Sequence, residues 1–202
     1  MAIQIAGQNL KTGAPGQAFP QDQQNAPLVT ELNPRYYQNV YAGNVFYAVN
    51  SAAQALSLSG TTTYTGLTVA NPAGSGKNLA LLEALWCTTI AITGIGAVIL
   101  ATGTTTAQTA GSSTGPVSAL LGSGANSVAK VGASCTYAAN PTFLRPGTGI
   151  SWVTAGTTQT FQQYKDEIGG ALVIAPGQQV SFLSITTANT GIGYFSWAEL
   201  PI

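Results

Sequence analysis

The sequence predicts an all-β fold, a β-sandwich of jelly-roll type with an extended N-terminal arm, and three observations lead there. Roughly eight or nine short runs rich in β-branched and aromatic residues follow one another, separated by Gly, Pro and Asn signals. No amphipathic helix of ordinary length stands out among them. The opening stretch, through GAPGQAFPQDQQNAPLV, holds too few apolar residues to build a core of its own.

Residues 1–42 are therefore read as the arm and 43–202 as the sandwich. The arm is expected to order only against a neighbouring subunit, the other reading being a disordered tail. Asn33-Pro34-Arg35-Tyr36-Tyr37 turns the chain into an aromatic cluster with Tyr41, Phe46 and Tyr47, read as packing that ties the arm to the body. Val45 to Val49 is a strand; Ala52 to Leu58 is a short helical turn or another strand. Thr61 to Val69 alternates and is β-branched, which marks a strand. Thr102 to Ser127 is rich in Gly, Ser and Thr and is expected to be a surface loop. Val131 to Tyr137 returns to strand character, and Pro146-Gly147 signals a turn after Phe143-Leu144-Arg145. Thr158 to Tyr164 alternates, Ala171 to Ile174 suits a buried strand, and Pro176-Gly177 turns into Gln179 to Thr186. An aromatic strand, Tyr194 to Leu200, closes the chain.

Asn71 to Leu100 contains the longest apolar run and admits three readings. A P-loop needs Gly at the position of Asn71 and Ser or Thr at that of Asn78. Both are Asn, so a turn at Asn71-Pro72 and Gly74-Ser75-Gly76 is the better account. Leu79 to Leu100 has about the ~20 residues of a membrane helix, but Glu83 would sit inside it. Two buried strands broken at Gly94-Ile95-Gly96 fit the β-branched Thr88, Thr89, Ile90, Ile92, Thr93, Val98 and Ile99 best. Leu79, Leu81, Glu83, Leu85 and Cys87 would share one face, and Ala80, Leu82, Ala84, Trp86 and Thr88 the other.

Composition bounds the chemistry. Charged residues are 6% of the 202, the net charge is zero and there is no histidine. The commonest general base and metal ligand is thus missing, and no catalytic residue, metal or cofactor is expected. Asp166-Glu167, beside Lys165, is read as a solvated turn. A chain without net charge neutralises no phosphates, so direct nucleic-acid binding is not expected; nor is a membrane partner. Weak repulsion between copies suits a protein that works in an assembly. Cys87 and Cys135 are expected to be two buried free thiols, with pairing left open. MAIQIAGQNLKTG lacks the pattern of a signal peptide, so synthesis in the cytoplasm is expected. The candidate interaction residues are Phe19, Arg35, Tyr36, Tyr37, Tyr41 and Glu83. Glu83, on an apolar strand, demands a cation such as Lys77, Lys130, Arg35 or Arg145.

Five stretches, FYAVN (Phe46 to Asn50), TYTGLTV, NPAGSGKNLALLEAL, APGQQVSF and the ending YFSWAELPI, give the chain from about Asn44 to Ile202 a likeness to a family. It resembles small virion structural proteins of tailed bacteriophages, most of all head decoration, or cement, proteins. The resemblance implies a place on the capsid surface, the major capsid protein as partner, and self-association, commonly as a homotrimer. The arm would then lie along neighbouring capsid subunits by β-augmentation. Neck, tail and fibre components share this style and form the alternative. In that case Tyr137, Trp152, Tyr164 or Trp197 on exposed loops would bind a receptor or glycan.

Overall fold

The computed structural model describes residues 6–7, 17–18, 35–89, 96–109, 113–150 and 163–202. The chain divides into two compact units, 1–37 and 38–202. In the first, β1 (Ala6–Gly7) pairs antiparallel with β2 (Gln17–Ala18). Most of the expected arm, Phe19 included, lies outside the described residues.

After the short helix α1 (Tyr37–Tyr41), the strands are β3 (Val45–Asn50), β4 (Gln54–Ala55), β5 (Thr63–Ala70), β6 (Lys77–Thr88), β7 (Gly96–Thr109), β8 (Ser113–Ser118), β9 (Lys130–Tyr137), β10 (Thr142–Ile150), β11 (Gln163–Ile174), β12 (Gln178–Ile185) and β13 (Thr190–Pro201). They form two antiparallel sheets among the described residues. One runs β11-β6-β13-β3-β8, with β4 beside β13; the other runs β10-β7-β12-β5-β9. The interleaving of β3-β13-β6-β11 with β5-β12-β7-β10 is the strand order of a jelly roll, two Greek keys wrapped into a sandwich. β8 and β9 are inserted between β7 and β10 and extend the two sheets beside β3 and β5.

The main core lies between the sheets. Phe46, Leu79, Leu81, Ala84, Trp86, Phe195 and Trp197 of one sheet meet Leu67, Val69, Val98, Leu100, Val180 and Phe182 of the other. Phe182 is its centre: it stacks on Phe195 at 4.4 Å, tilts against Trp86 at 5.5 Å and meets Tyr164 edge-on at 6.5 Å. Gly193 makes room for it, since a Cβ there would stand 3.1 Å from the Phe182 ring and from Leu67.

The second sheet curls. β7 pairs with β12, β12 with β5, β5 with β9, and β9 returns to the far half of β7, so four strands close a circuit. Inside sits a smaller core of Tyr64, Ile99, Ala101, Cys135, Tyr137 and Leu183. This is why β7 and β12 are buried on both faces along their described middle: each faces one core on either side.

Several expectations change here. Leu79 to Leu100 is divided between β6 and β7, with residues 90–95 outside the described set, and no described helix is long and apolar enough to cross a membrane. The alternation along β6 does not run through. A bulge at Leu82, where β13 steps from Ser196 to Trp197, puts Leu79 and Leu81 on the same core face as Ala84 and Trp86. Most of the expected loop from Thr102 to Ser127 is strand, the end of β7 and β8, because its threonines are β-branched and find partners in β12, β9 and β3. Pro146-Gly147 is no turn but a register shift within β10. The aromatic cluster is dispersed: Phe46 stacks on Trp197 in the core, while Tyr47 meets Tyr194 on the opposite face of the sheet.

Phe182→Ala should remove the common contact of three aromatic side chains. The expected loss is about 3–5 kcal/mol, read from the urea midpoint at unchanged slope.

Candidate functional site

The structure places its ionisable groups where elements need to be joined. Glu199, near the end of β13, is buried; its side chain is 0% exposed. Its Oε2 accepts from Lys77 Nζ at 2.8 Å, and its Oε1 accepts from Ser127 Oγ at 2.5 Å and from the Val128 amide at 2.9 Å. The carboxylate thereby binds the loop ahead of β9 to the first residue of β6. Asn71 works beside it: Nδ2 donates to the carbonyls of Lys77 and Ile174, its amide donates to Gln178, and its carbonyl accepts from the Gly177 amide. The Asn71-to-Lys77 segment is thus a turn held by a buried amide, with Lys77 directed to a carboxylate rather than a phosphate.

At one lateral edge, Arg145 of β10 donates through Nη1 to both oxygens of Asp166 on β11, at 3.0 and 3.2 Å, and Tyr164 Oη donates to the same carboxylate at 3.1 Å. This clasp joins the two sheets. Burial, followed by the Asp166 charge, pushes the Tyr164 phenol up, so it remains a donor. Asp166-Glu167 lies within β11 and not in a turn. Beyond Glu167 the strand arches out through Gly169 and Gly170, at φ 60° and 89°, before re-pairing at Leu172.

Glu83 is not enclosed in a core as expected but 29% exposed on the outer face, where it pairs with Lys165 at 3.3 Å; Lys77 and Arg145 pair with Glu199 and Asp166 instead. Lys165 also reaches Glu167 at 2.9 Å, and these carboxylates, Glu167 foremost, raise its pKa. Among the other candidates, Arg35 stacks over the Tyr36 ring at 5.1 Å, and Tyr36 adopts the left-handed φ of 79°. Tyr37 and Tyr41 are 46% and 69% exposed. Of the aromatics suggested for a glycan, Tyr137, Tyr164 and Trp197 are buried in the cores and Trp152 lies outside the described residues.

What the register does assemble is the outer face of the six-stranded sheet. Its side chains stand in rows across β11, β6, β13 and β3: Glu167, Glu83, Ser196 and Tyr47; then Lys165, Leu85, Tyr194 and Val49; then Gln163, Cys87 and Ile192. Alternate residues of the same strands, among them Tyr164, Ala84, Trp86, Phe195 and Ala48, point into the core. Tyr47, Val49, Leu85, Cys87, Ile192 and Tyr194 remain half-buried. Sequence reading missed this face because its members come from four separated segments. The bulge at Leu82 sets it by turning Glu83 outward beside Tyr194, whose phenol is pushed up by burial and, to a lesser degree, by the Glu83 charge.

The cysteines are both free, and Cys135 is buried while Cys87 is only half-buried on the outer face. Burial pushes the Cys135 thiol and the Tyr137 phenol up; Tyr137 Oη lies 2.6 Å from Ser181 Oγ.

Two predictions follow from these groups. Lys77→Met leaves the Glu199 carboxylate buried without its counter-charge and should cost about 2–3 kcal/mol, toward the lower figure because the Lys77 side chain is 34% exposed. Adding Glu199→Gln to that variant should recover most of the loss in urea unfolding. The pKa of Cys135 is raised on folding, so the unfolded chain ionises first: stability is flat below about pH 8.5 and falls above it by at most about 1.4 kcal/mol per pH unit for this thiol. In Cys135→Val the decline should begin only near pH 10, where unfolded tyrosine ionises; an unchanged onset would show that another group governs it. No family model, curated protein or solved structure matches this chain.

Proposed function

We propose that this chain is a non-enzymatic structural protein of a virion, a capsid decoration or cement protein that binds between major capsid subunits and stabilises the shell. The observation that carries this reading is the use of charge. In a chain with 6% charged residues, the pairs Lys77–Glu199, Arg145–Asp166 and Lys165–Glu83 each join two different strands. Charges arranged this way stiffen a scaffold. The jelly roll suits the reading as well, since it is a scaffold that shells employ, although a fold alone does not decide function. Stabilisation of a shell by such a protein is mass action: whatever binds the assembled state and not its separated subunits shifts the balance toward assembly.

In this reading the chain sits on the outer surface of the capsid, self-associates, and uses residues 1–42 as the docking arm. Stained gels of purified particles should show the chain at a copy number comparable to the major capsid subunit. A stoichiometry of a few copies per particle would overturn cement in favour of a neck, tail or fibre component. Deleting residues 1–42 should abolish attachment to particles while the remaining domain keeps its cooperative unfolding; full attachment of the truncated chain would refute the arm.

A further inference from the structure

We infer that the closed circuit of β5, β9, β7 and β12 is a binding site for an ordered water molecule, held between Thr68 Oγ1 and Gln179 Oε1 with Ser181 Oγ as a third partner. The inference does not rest on the capsid reading, because the purified chain alone tests it.

A set of buried polar atoms inside the circuit carries it. Leu67, Val69, Val180 and Phe182 face the main core, so the alternate residues Thr68, Gln179 and Ser181 turn to the other side of the sheet, where the smaller core lies. Gln179 Nε2 shows this direction by donating across the circuit to the Thr136 carbonyl of β9 at 3.3 Å. Thr68 and Gln179 are 1% and 0% exposed, yet Thr68 Oγ1 and Gln179 Oε1 have no hydrogen-bond partner among the described residues. A buried polar atom of this kind forfeits the hydration it had in the unfolded chain, and protein interiors meet that cost with internal water. Tyr64 Oη is a third such atom, but Tyr64 stands opposite Cys135, three residues along β9 from Gly132, and is not assigned to this water.

One molecule can serve both atoms. Thr68 pairs with Ser181 on β12 and with Gly132 on β9, and Gln179 is two residues from Ser181 on the same strand, so Thr68 and Gln179 are diagonal neighbours on one face. The Tyr137 ring fills the space over Gly103, where a Cβ would stand 2.8 Å from it. Gly132 and Ala70, the β9 partner of Thr68 and the β5 partner of Gln179, bring no more than a methyl group. Ser181 Oγ, 2.6 Å from Tyr137 Oη, keeps capacity for a further bond, since a hydroxyl has one proton and two lone pairs. The surroundings select a small neutral ligand. The Cys135 thiol, flanked by Thr68 and Ser181, and the Tyr137 phenol are both pushed up by burial, so they stay protonated and offer no charge to an ion. A water that donates to Gln179 Oε1 and bonds the two hydroxyls makes the two to four contacts typical of an internal water.

Thr68→Val keeps the shape and removes the hydroxyl. With the water in place, this substitution should lower the folding equilibrium constant about tenfold, read from the urea midpoint at unchanged slope, and should remove one long-lived water from the magnetic relaxation dispersion of the solvent signal. A hydroxyl that binds nothing gives the opposite sign, so a raised midpoint in Thr68→Val would overturn the proposal. Gln179→Met also breaks the bond to Thr136, but does so in both backgrounds, and a cycle with Thr68→Val therefore isolates the shared water. The two losses should be less than additive; strict additivity would sink the bridge. A dispersion profile unchanged by Thr68→Val, or a metal cation at this position in a crystal structure of the full chain, would overturn it as well. None of these results would alter the copy number on particles, so the capsid reading stands or falls separately.

Discussion

The sandwich depends on the contacts of Phe182. A single side chain from β12 meets Phe195, Trp86 and Tyr164, which belong to three adjacent strands of the opposite sheet, so one ring fixes the relative position of four strands. Aromatic rings bury large areas and add directional preference to that burial, and an offset stack with two angled contacts specifies orientation as well as distance. Gly193 belongs to the same arrangement, because the ring occupies the space of its missing side chain. With the sheets held there, the ends of the sandwich can be closed by polar groups that would be costly to bury elsewhere.

Those closures share one logic. Glu199 and Asn71 lie at one end, and Asn189 at another place where a loop meets β6: its Oδ1 accepts from Trp86 Nε1 at 2.9 Å and from Thr88 Oγ1 at 3.1 Å. Each is a buried acceptor or amide that ties separate segments together; the Glu199 carboxylate is satisfied at both oxygens, while Asn71 uses only its Nδ2 and Asn189 only its Oδ1. The Arg145–Asp166–Tyr164 clasp does the same at the edge where β10 lies near β11. A sandwich of threonine, serine and glycine-rich strands has few long side chains to tie it together. Three ion pairs, Lys77–Glu199, Arg145–Asp166 and Lys165–Glu83, therefore sit where two strands meet.

The all-β sandwich was legible in the sequence because its strands and turns depend on local signals. The alternation of β5, the apolar runs of β6 and β12, and the turn at Pro176-Gly177 all report themselves within a few residues. What depended on a partner strand was not legible. The bulge at Leu82 arises from the step that β13 makes at Ser196, so no reading of β6 alone could place Glu83 on the outer face. Lys165 was passed over because its neighbours, Asp166 and Glu167, suggested a turn, whereas β6 gave that segment a partner. Pro146-Gly147 suggested a turn too, yet β7 pairs on both sides of it. Glu199 closes an aromatic strand and looks ordinary until the loop at Ser127 and the start of β6 arrive beside it. Composition alone points the Thr-rich end of β7 toward a loop, although threonine favours a pleated surface once another strand is present.

The curl of the second sheet also sets the two sheets apart. By closing β7 onto β9, the five-stranded sheet covers its own outward side chains and converts them into a second core. Among the described residues the six-stranded sheet has no such closure: β8 and β11 are its lateral strands, and its outward rows from β11 to β3 contain Tyr47, Val49, Leu85, Cys87, Ile192 and Tyr194. Aromatic and branched residues on a half-exposed sheet face gain more from contact with another apolar surface than from water. The asymmetry between the sheets, one closed on itself and one open, is thus a consequence of where β9 was inserted.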